Sequence, residues 1–249
     1  MYYEVNNMTN MIVIAELSKG SIHPSTAELV TAAHAFGGEP ILVVPCTDAS
    51  IADSVQSLSG VSKIIAVKSD VFDGNDSSGW ASALDSALPS GTVLCLATTR
   101  SKDVAARLAA RRNISVVQDV IRIDGSNLTS PIYSGKANQT VSVSGEAVIT
   151  VRANVFDAVG NDGTCDVSVV DASGDVKTAV QEIMQRASTR LDVSEANIVI
   201  SGGRGMGSPA NFAHLEAVAD TIGAAVGASR AAVDTWAEIP HSMQVGQTG

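Results

Sequence analysis

Aromatic residues are scarce in this sequence: two Trp, three Tyr and four Phe make up 4% of its 249 residues. A core built here must come from Val, Ile, Leu and Ala, the side chains that pack parallel sheets covered by helices. Basic residues are outnumbered, 16 Lys and Arg against 26 Asp and Glu, for a formal net charge of −10 at pH 7. That balance argues against nucleic acid and anionic membrane surfaces as partners, because both need a basic patch. Cysteine is limited to Cys46, Cys95 and Cys165, odd in number, far apart and without metal-ligand spacing. A disulfide framework is therefore excluded, and buried reduced thiols in a reducing compartment are expected. No apolar run reaches the length of a membrane span. Met1 to Asn10 has neither the basic and apolar regions of a secretory leader nor the arginines of a transit peptide, so a cytoplasmic protein without membrane insertion is expected. His23, His34, His214 and His241 show no metal-ligand spacing, and neither G-x-S-x-G nor G-x-x-x-x-G-K-[ST] occurs. Metal-assisted hydrolysis, a serine nucleophile elbow and a P-loop are thereby argued against. The acidic turn Asp73-Gly74-Asn75-Asp76 lacks the length and terminal Glu of a calcium loop and reads as a solvated loop.

What is present is an alternation of strands and helices. Met11 to Ala15 reads as a buried strand, and Pro24-Ser25-Thr26 opens a helix with Ala27, Val30, Ala33 and Ala35 inward that stops at Gly37-Gly38. Pro40 to Val44 and Lys63 to Val67 read as strands around a helical stretch near Ile51 to Leu58. Trp80, Leu84 and Leu88, four apart, predict another helix; Thr92 to Ala97 is a strand and Lys102 to Arg112 a helix. This order implies a parallel sheet with any ligand crevice at its carboxyl edge. After Asp119 the period changes to near two, and Leu128 to Tyr133, Asn138 to Val143 and Glu146 to Ala153 read as an antiparallel meander, with a further strand near Asp166 to Val170. Lys177 to Leu191 reads as a helix with Val180, Ile183, Met184, Ala187 and Leu191 on one face. A domain boundary is placed just after it, giving residues 1–192 and 193–249.

The last quarter holds three glycine-containing turns: Ser201-Gly202-Gly203-Arg204-Gly205, Gly227-Ala228-Ser229-Arg230, and Gln244-Val245-Gly246-Gln247-Thr248-Gly249. The first follows the apolar run Asn197 to Ile200 and precedes a helix with Ser208 as N-cap, Pro209 in the first turn, Phe212, Leu215, Val218, Ala219 and Ile222 at helical spacing, and Gly223 as the stop. The second repeats this on a smaller scale, with Ser229 placed to cap a helix that begins at Arg230. Strand, glycine loop and helix make a natural anion site, and an arginine in two of the turns adds a planar, always-charged donor fork. Each loop alone is an ordinary connection; two so close together, each with arginine, point to a phosphate-bearing ligand. The usual nicotinamide fingerprint is not met, since Ser208 stands at its last small position and Asp220 lies inside the helix.

In this order and at this spacing, the three turns, together with Arg230-Ala231-Ala232-Val233-Asp234, resemble the FAD domain of the electron transfer flavoprotein alpha subunit. Pro131-Ile132-Tyr133 and Val148-Ile149-Thr150-Val151-Arg152 resemble spellings of that family's first domain, so the likeness runs from about residue 11 onward. It implies a parallel Rossmann-like N-terminal domain with an antiparallel meander, followed by the first part of a doubly wound FAD-binding domain. It also implies that Arg204, Ser229, Arg230, Val245, Gly246, Gln247 and Thr248 contact the flavin or its diphosphate, with Thr248 near N5 and Arg230 near the ring. The segment Thr235 to Ser242 departs from the family's spelling. The family also continues beyond the third turn with a Ser-Gly-Ala-Ile-Gln-His stretch and an Asn and Asp that hold FAD, so a C-terminally truncated domain is expected. The implied function is a redox carrier without substrate chemistry of its own, a heterodimer with a beta subunit. It passes electrons from acyl-CoA or other flavin dehydrogenases of fatty acid beta-oxidation to a membrane quinone oxidoreductase. A nucleotide-binding α/β enzyme acting through the first domain is the alternative, but Glu16 to Gly20 and Pro45 to Asp48 lack a glycine-rich phosphate loop. A structural subunit without its own cofactor is the other.

Overall fold

The computed structural model of the chain describes residues 10–18, 20–178, 190–193 and 196–246. The expected helix positions Val180, Ile183, Met184 and Ala187, and the site residues Gln247 and Thr248, lie outside them. The chain forms two compact units, Met1–Glu182 and Ile183–Gly249.

The first unit runs β1 (Met11–Ile14), a short hairpin of β2 (Leu17–Ser18) and β3 (Ser21–Ile22), α1 (Thr26–Phe36), β4 (Pro40–Cys46), β5 (Lys63–Lys68), α2 (Ser77–Ala87), β6 (Thr92–Leu96) and α3 (Thr99–Arg112). It continues with β7 (Ser115–Val120), β8 (Arg122–Asp124), β9 (Asn127–Ile132), β10 (Ala137–Ser142), β11 (Ala147–Val151) and β12 (Val167–Asp171). Seven of these strands form one sheet in the order β12-β5-β4-β1-β6-β11-β7, every pair parallel. Side chains alternate between its faces. Val13, Leu42, Val44, Ile64, Leu94 and Ile149 pack with Leu29, Ala32 and Ala33 of α1 and with Ile123 and Leu128. Ile12, Val43, Ile65, Val93 and Val148 pack instead with Trp80 and Leu84 of α2 and Val104 and Leu108 of α3. Where the sheet is covered on both faces it has no polar side, which is why its inner strands β5, β4, β1, β6 and β11 are largely apolar runs while the edge strands β12 and β7 carry polar, exposed residues.

Three elements differ from the sequence expectation. Glu146 to Ala153 is not part of the antiparallel meander: β11 lies between β6 and β7 in the parallel sheet, and all five of its residues are buried. Its unbroken apolar run suits a two-sided interior, whereas a meander strand would keep one polar face. The antiparallel sheet has the order β10-β9-β8. The stretch near Ile51 is a 3-10 helix, Ala49–Val55, and not an α-helix. On α1, Ala35 is exposed and Leu29 takes the buried place. His34 acts structurally, its Nε2 lying 2.8 Å from the Gly60 carbonyl. All three cysteines are free, with Cys46 and Cys95 buried.

The second unit runs β13 (Val199–Gly202), α4 (Phe212–Ile222), β14 (Ala225–Ala228) and α5 (Arg230–Thr235). Phe212, Ala219, Val226, Ala228, Ala232 and Val233 form its core, and Phe212 meets Trp236 edge to face at 6.1 Å. Ser208 accepts from the Ala210 N–H to open a 3-10 turn ahead of α4, and Gly223, at φ 65°, ends that helix. Val218 and Ile222, expected on the inner stripe of α4, are half exposed. Among the described residues this unit has a two-stranded sheet, and the α4 side chains that pack into its core are Phe212, Leu215 and Ala219.

One carboxylate closes the end of the first unit. Asp76 caps α2 by accepting from the Gly79 N–H at 2.8 Å, and it also accepts from the Lys177 N–H at 3.0 Å and the Thr178 hydroxyl at 2.6 Å. These bonds, led by that from Thr178, lower its pKa to about 2. Replacing Asp76 by Ala should cost about 1–2 kcal/mol of stability at neutral pH, the worth of a cap plus a charge-assisted bond. Because the folded pKa lies below the unfolded value of about 3.9, this stabilisation is complete above that value and fades as pH falls toward about 2. Denaturant titrations of wild type and Asp76→Ala should therefore differ at pH 7 and converge near pH 2; a gap that persists at low pH would contradict the linkage.

Candidate cofactor site

The site is built from strand pairing. β13 and β14 are parallel and in register, Ser201 opposite Gly227 and Gly202 opposite Ala228. The Ser229 N–H donates to the Gly202 carbonyl at 2.8 Å, and the Val245 N–H to the Ala228 carbonyl at 2.9 Å. Gln244 forms a parallel bridge with Ala228. The first two glycine turns and the described part of the third, residues 244–246, thus lie side by side at one carboxyl edge, the place where open α/β sheets bind ligands.

Glycine makes that crowding feasible. A Cβ on Gly227 would overlap Val245 Cγ2 and come within 2.7 Å of Ser201 Oγ. A Cβ on Gly202 would lie 2.7 Å from Leu215 Cδ1 and 2.8 Å from Phe212, so this glycine sets how closely α4 approaches the strand. One on Gly203 would stand 3.3 Å from Ser229 Oγ, where the first turn faces the second.

The side chains are disposed as follows. Arg204, in a 3-10 turn Arg204–Met206, is exposed, and its guanidinium makes no hydrogen bond or ion pair among the described residues. Ser229 occupies the N-cap position of α5 with extended backbone, yet its hydroxyl makes no capping bond. Arg230 donates from Nε to Asp234 Oδ2 at 3.1 Å. Val245 is exposed, and Gly246 adopts φ 82°, a left-handed conformation that suits glycine. Of the seven residues expected from the sequence, Arg204, Ser229, Arg230, Val245 and Gly246 are brought to this edge. An unpartnered guanidinium, a free hydroxyl and a glycine-floored cradle fit the diphosphate end of a dinucleotide. Asp234 and His241, whose Nε2 lies 3.9 Å from Asp234 Oδ1, received no role from the sequence. Their signal was faint: an Asp four residues after an Arg on a helix.

A second cleft, of about 500 Å³, opens at the carboxyl edge of the first unit between Leu17, Cys46, Thr47, Asp48, Phe72, Asp73 and Arg100. Its cation is already committed. Arg100 donates to Glu16 at 3.3 Å and to the Leu17 carbonyl at 2.7 Å, and lies 4.6 Å from the Trp80 ring centre. Glu16, buried, also accepts from Thr98 at 3.2 Å and Ser101 at 2.5 Å. Beneath it burial, with the Glu16 charge adding, pushes the Cys95 thiol up to about 12, so this cysteine stays protonated. With Asp48 and Asp73 on the rim, the cleft repels a diphosphate. Among the described residues no group of side chains is placed to hold a metal ion, and no helix is long and apolar enough to cross a membrane.

Comparison with known proteins bears on both units. Residues 11–175 match the electron transfer flavoprotein domain, and residues 192–249 match the electron transfer flavoprotein FAD-binding domain. The electron transfer flavoprotein subunit alpha of Paracoccus denitrificans is 36% identical over 247 residues, covering 96% of this chain and 79% of that protein. Its counterparts in Mycobacterium leprae and Mycobacterium tuberculosis are 36% and 37% identical over 254 residues, each with 97% of this chain and 79% of the relative covered.

The glycine geometry yields a test that needs no ligand. Gly227→Ala should force Val245 off the Ala228 carbonyl and destabilise the second unit by about 1–3 kcal/mol through overpacking. In hydrogen exchange the Val245 amide should lose protection while the amides of β1 and β4 keep theirs. Unchanged exchange at Val245 would show that the third turn is not held by this contact.

Proposed function

The chain belongs to the electron transfer flavoprotein family as an alpha subunit, and from that premise we propose that it binds FAD at the carboxyl edge of β13 and β14 and acts as a redox carrier in a heterodimer with a beta subunit. The observation that carries this reading is the side-by-side placement of the first two glycine turns and residues 244–246 at one strand edge, beside an Arg204 that is unpaired among the described residues. Arg204 and Ser229 would hold the diphosphate, Val245 and Gly246 would offer main-chain groups to the cofactor, and Arg230 would supply positive charge to the flavin. Gln247 and Thr248 are the remaining members of the proposed cofactor-binding set. When bound, FAD supplies the ability to take up and release electrons singly or in pairs; the protein supplies orientation, charge and exclusion of water. No substrate bond is broken by such a carrier. Its donors are flavin dehydrogenases such as the acyl-CoA dehydrogenases of fatty acid beta-oxidation, and its acceptor is a membrane quinone oxidoreductase.

The direct test is the visible absorption of the full-length gene product produced together with its beta partner: a flavin spectrum with FAD released on denaturation is expected, and a colourless heterodimer would overturn the reading. Within that complex, Arg204→Ala should weaken FAD binding on the order of ten- to a hundredfold, the worth of one charge-assisted bond to phosphate. The melting of the cofactor-free protein should stay the same, because Arg204 has no partner to lose among the described residues. Undiminished retention of FAD on dialysis would remove Arg204 from the site.

A further inference from the structure

We infer that Asp234 is a positioning residue of this site, one that sets both the direction and the effective charge of Arg230; the inference rests on the flavin reading given above. Asp234 lies on α5, one turn after Arg230, and its two oxygens face two different segments. Oδ2 accepts from Arg230 Nε at 3.1 Å, on the second glycine turn. Oδ1 faces His241 Nε2 at 3.9 Å. His241 opens the 3-10 turn His241–Met243, and the Gln244 N–H donates back to the His241 carbonyl at 3.0 Å. Gln244 in turn bridges to Ala228. A single carboxylate therefore stands between the residue that presents a guanidinium and the segment that delivers the third turn to the strand edge.

Two consequences follow from the bonding pattern. Binding through Nε restricts a long flexible side chain while leaving both terminal amino groups of Arg230 without a protein partner among the described residues, so the fork stays available to a ligand. The nearby negative charge also offsets part of the guanidinium field. Reduction of a flavin adds negative charge to the ring, so a less compensated Arg230 favours the reduced form, and Asp234 holds the potential below the value that Arg230 alone would set. An ordinary helix-surface ion pair, by contrast, contributes little to stability and has no bearing on a redox potential.

Substitution separates these roles. Asp234→Asn keeps an oxygen able to accept from Nε and removes the charge; Asp234→Glu keeps the charge on a longer stem. In the full-length heterodimer loaded with FAD, a spectroelectrochemical titration of Asp234→Asn should show the reduced-to-oxidised flavin ratio at a fixed ambient potential raised roughly three- to tenfold, about 15 to 30 mV for a two-electron couple. Asp234→Glu should stay within about twofold of wild type, and the melting of the cofactor-free forms should be the same for all three. A potential in Asp234→Asn equal to that of wild type, an equal shift in Asp234→Glu, or loss of FAD from both would overturn the assignment. A wild-type heterodimer without flavin removes the functional reading and this inference together, whereas a flavin-loaded wild type with an unresponsive Asp234→Asn removes this inference alone.

Discussion

The candidate site depends on the close parallel approach of β13, β14 and the Gln244-Val245 segment. Pairing Ser201 with Gly227 and Gly202 with Ala228 sets two turns level, and the Val245 N–H on the Ala228 carbonyl adds the third. Any side chain at Gly227 would fill the space that Val245 occupies. The site is therefore a property of backbone spacing first and of charged side chains second. Small residues at the strand ends let main-chain groups come near a ligand, and the arginines then choose its sign.

The two units put arginine to opposite uses. In the first, Arg100 is satisfied by Glu16, by a main-chain carbonyl and by the face of Trp80, and the rim beside it is acidic. A cation so fully partnered stabilises a strand edge and has little left for a ligand. In the second, Arg204 has no partner among the described residues and Arg230 is tied through Nε alone. Similar α/β grammar thus produces a closed edge in one unit and a receptive one in the other, and the difference lies in where the counter-charges fall.

The seven-stranded sheet shows a related economy of design in its core. Alternate residues of each strand serve two interiors, α1 with the antiparallel sheet on one face and α2 with α3 on the other. With so few aromatic rings available, packing comes from many branched aliphatic side chains, with Phe72 edge to face against Trp80 at 4.9 Å among them. The insertion of β11 is accompanied by a register shift against β7. There Asp119 takes φ 59°, its N–H held by Thr150 Oγ1 at 2.9 Å and its carboxylate by Arg152. The pair with Arg152 keeps the Asp119 carboxyl below the usual range.

Local chemistry in the sequence was enough to place most elements. The apolar runs from Met11, Pro40, Lys63 and Thr92 and the stops at Gly37 and Gly223 act over a few residues, and each is where the sequence indicated, whereas Ser208 and Pro209 open a 3-10 turn and the helix itself begins at Phe212. Tertiary structure alone decided which strands are neighbours. An apolar pentapeptide such as Ala147–Val151 is compatible with a meander or with a sheet interior; contact with Thr92–Leu96, some way back in the chain, made it the latter. The same holds for the exposure of Val218 and Ile222. It holds also for the Arg100 charge, whose partner Glu16 arrives from a distant segment, whereas the pair of Arg230 with Asp234 is local to one helix and lies at a spacing the sequence shows. Periodicity, capping and ion pairs one helical turn apart are short-range and therefore written in the sequence, whereas strand pairing, burial and counter-charges such as Glu16 are settled between segments that meet only when the chain has folded.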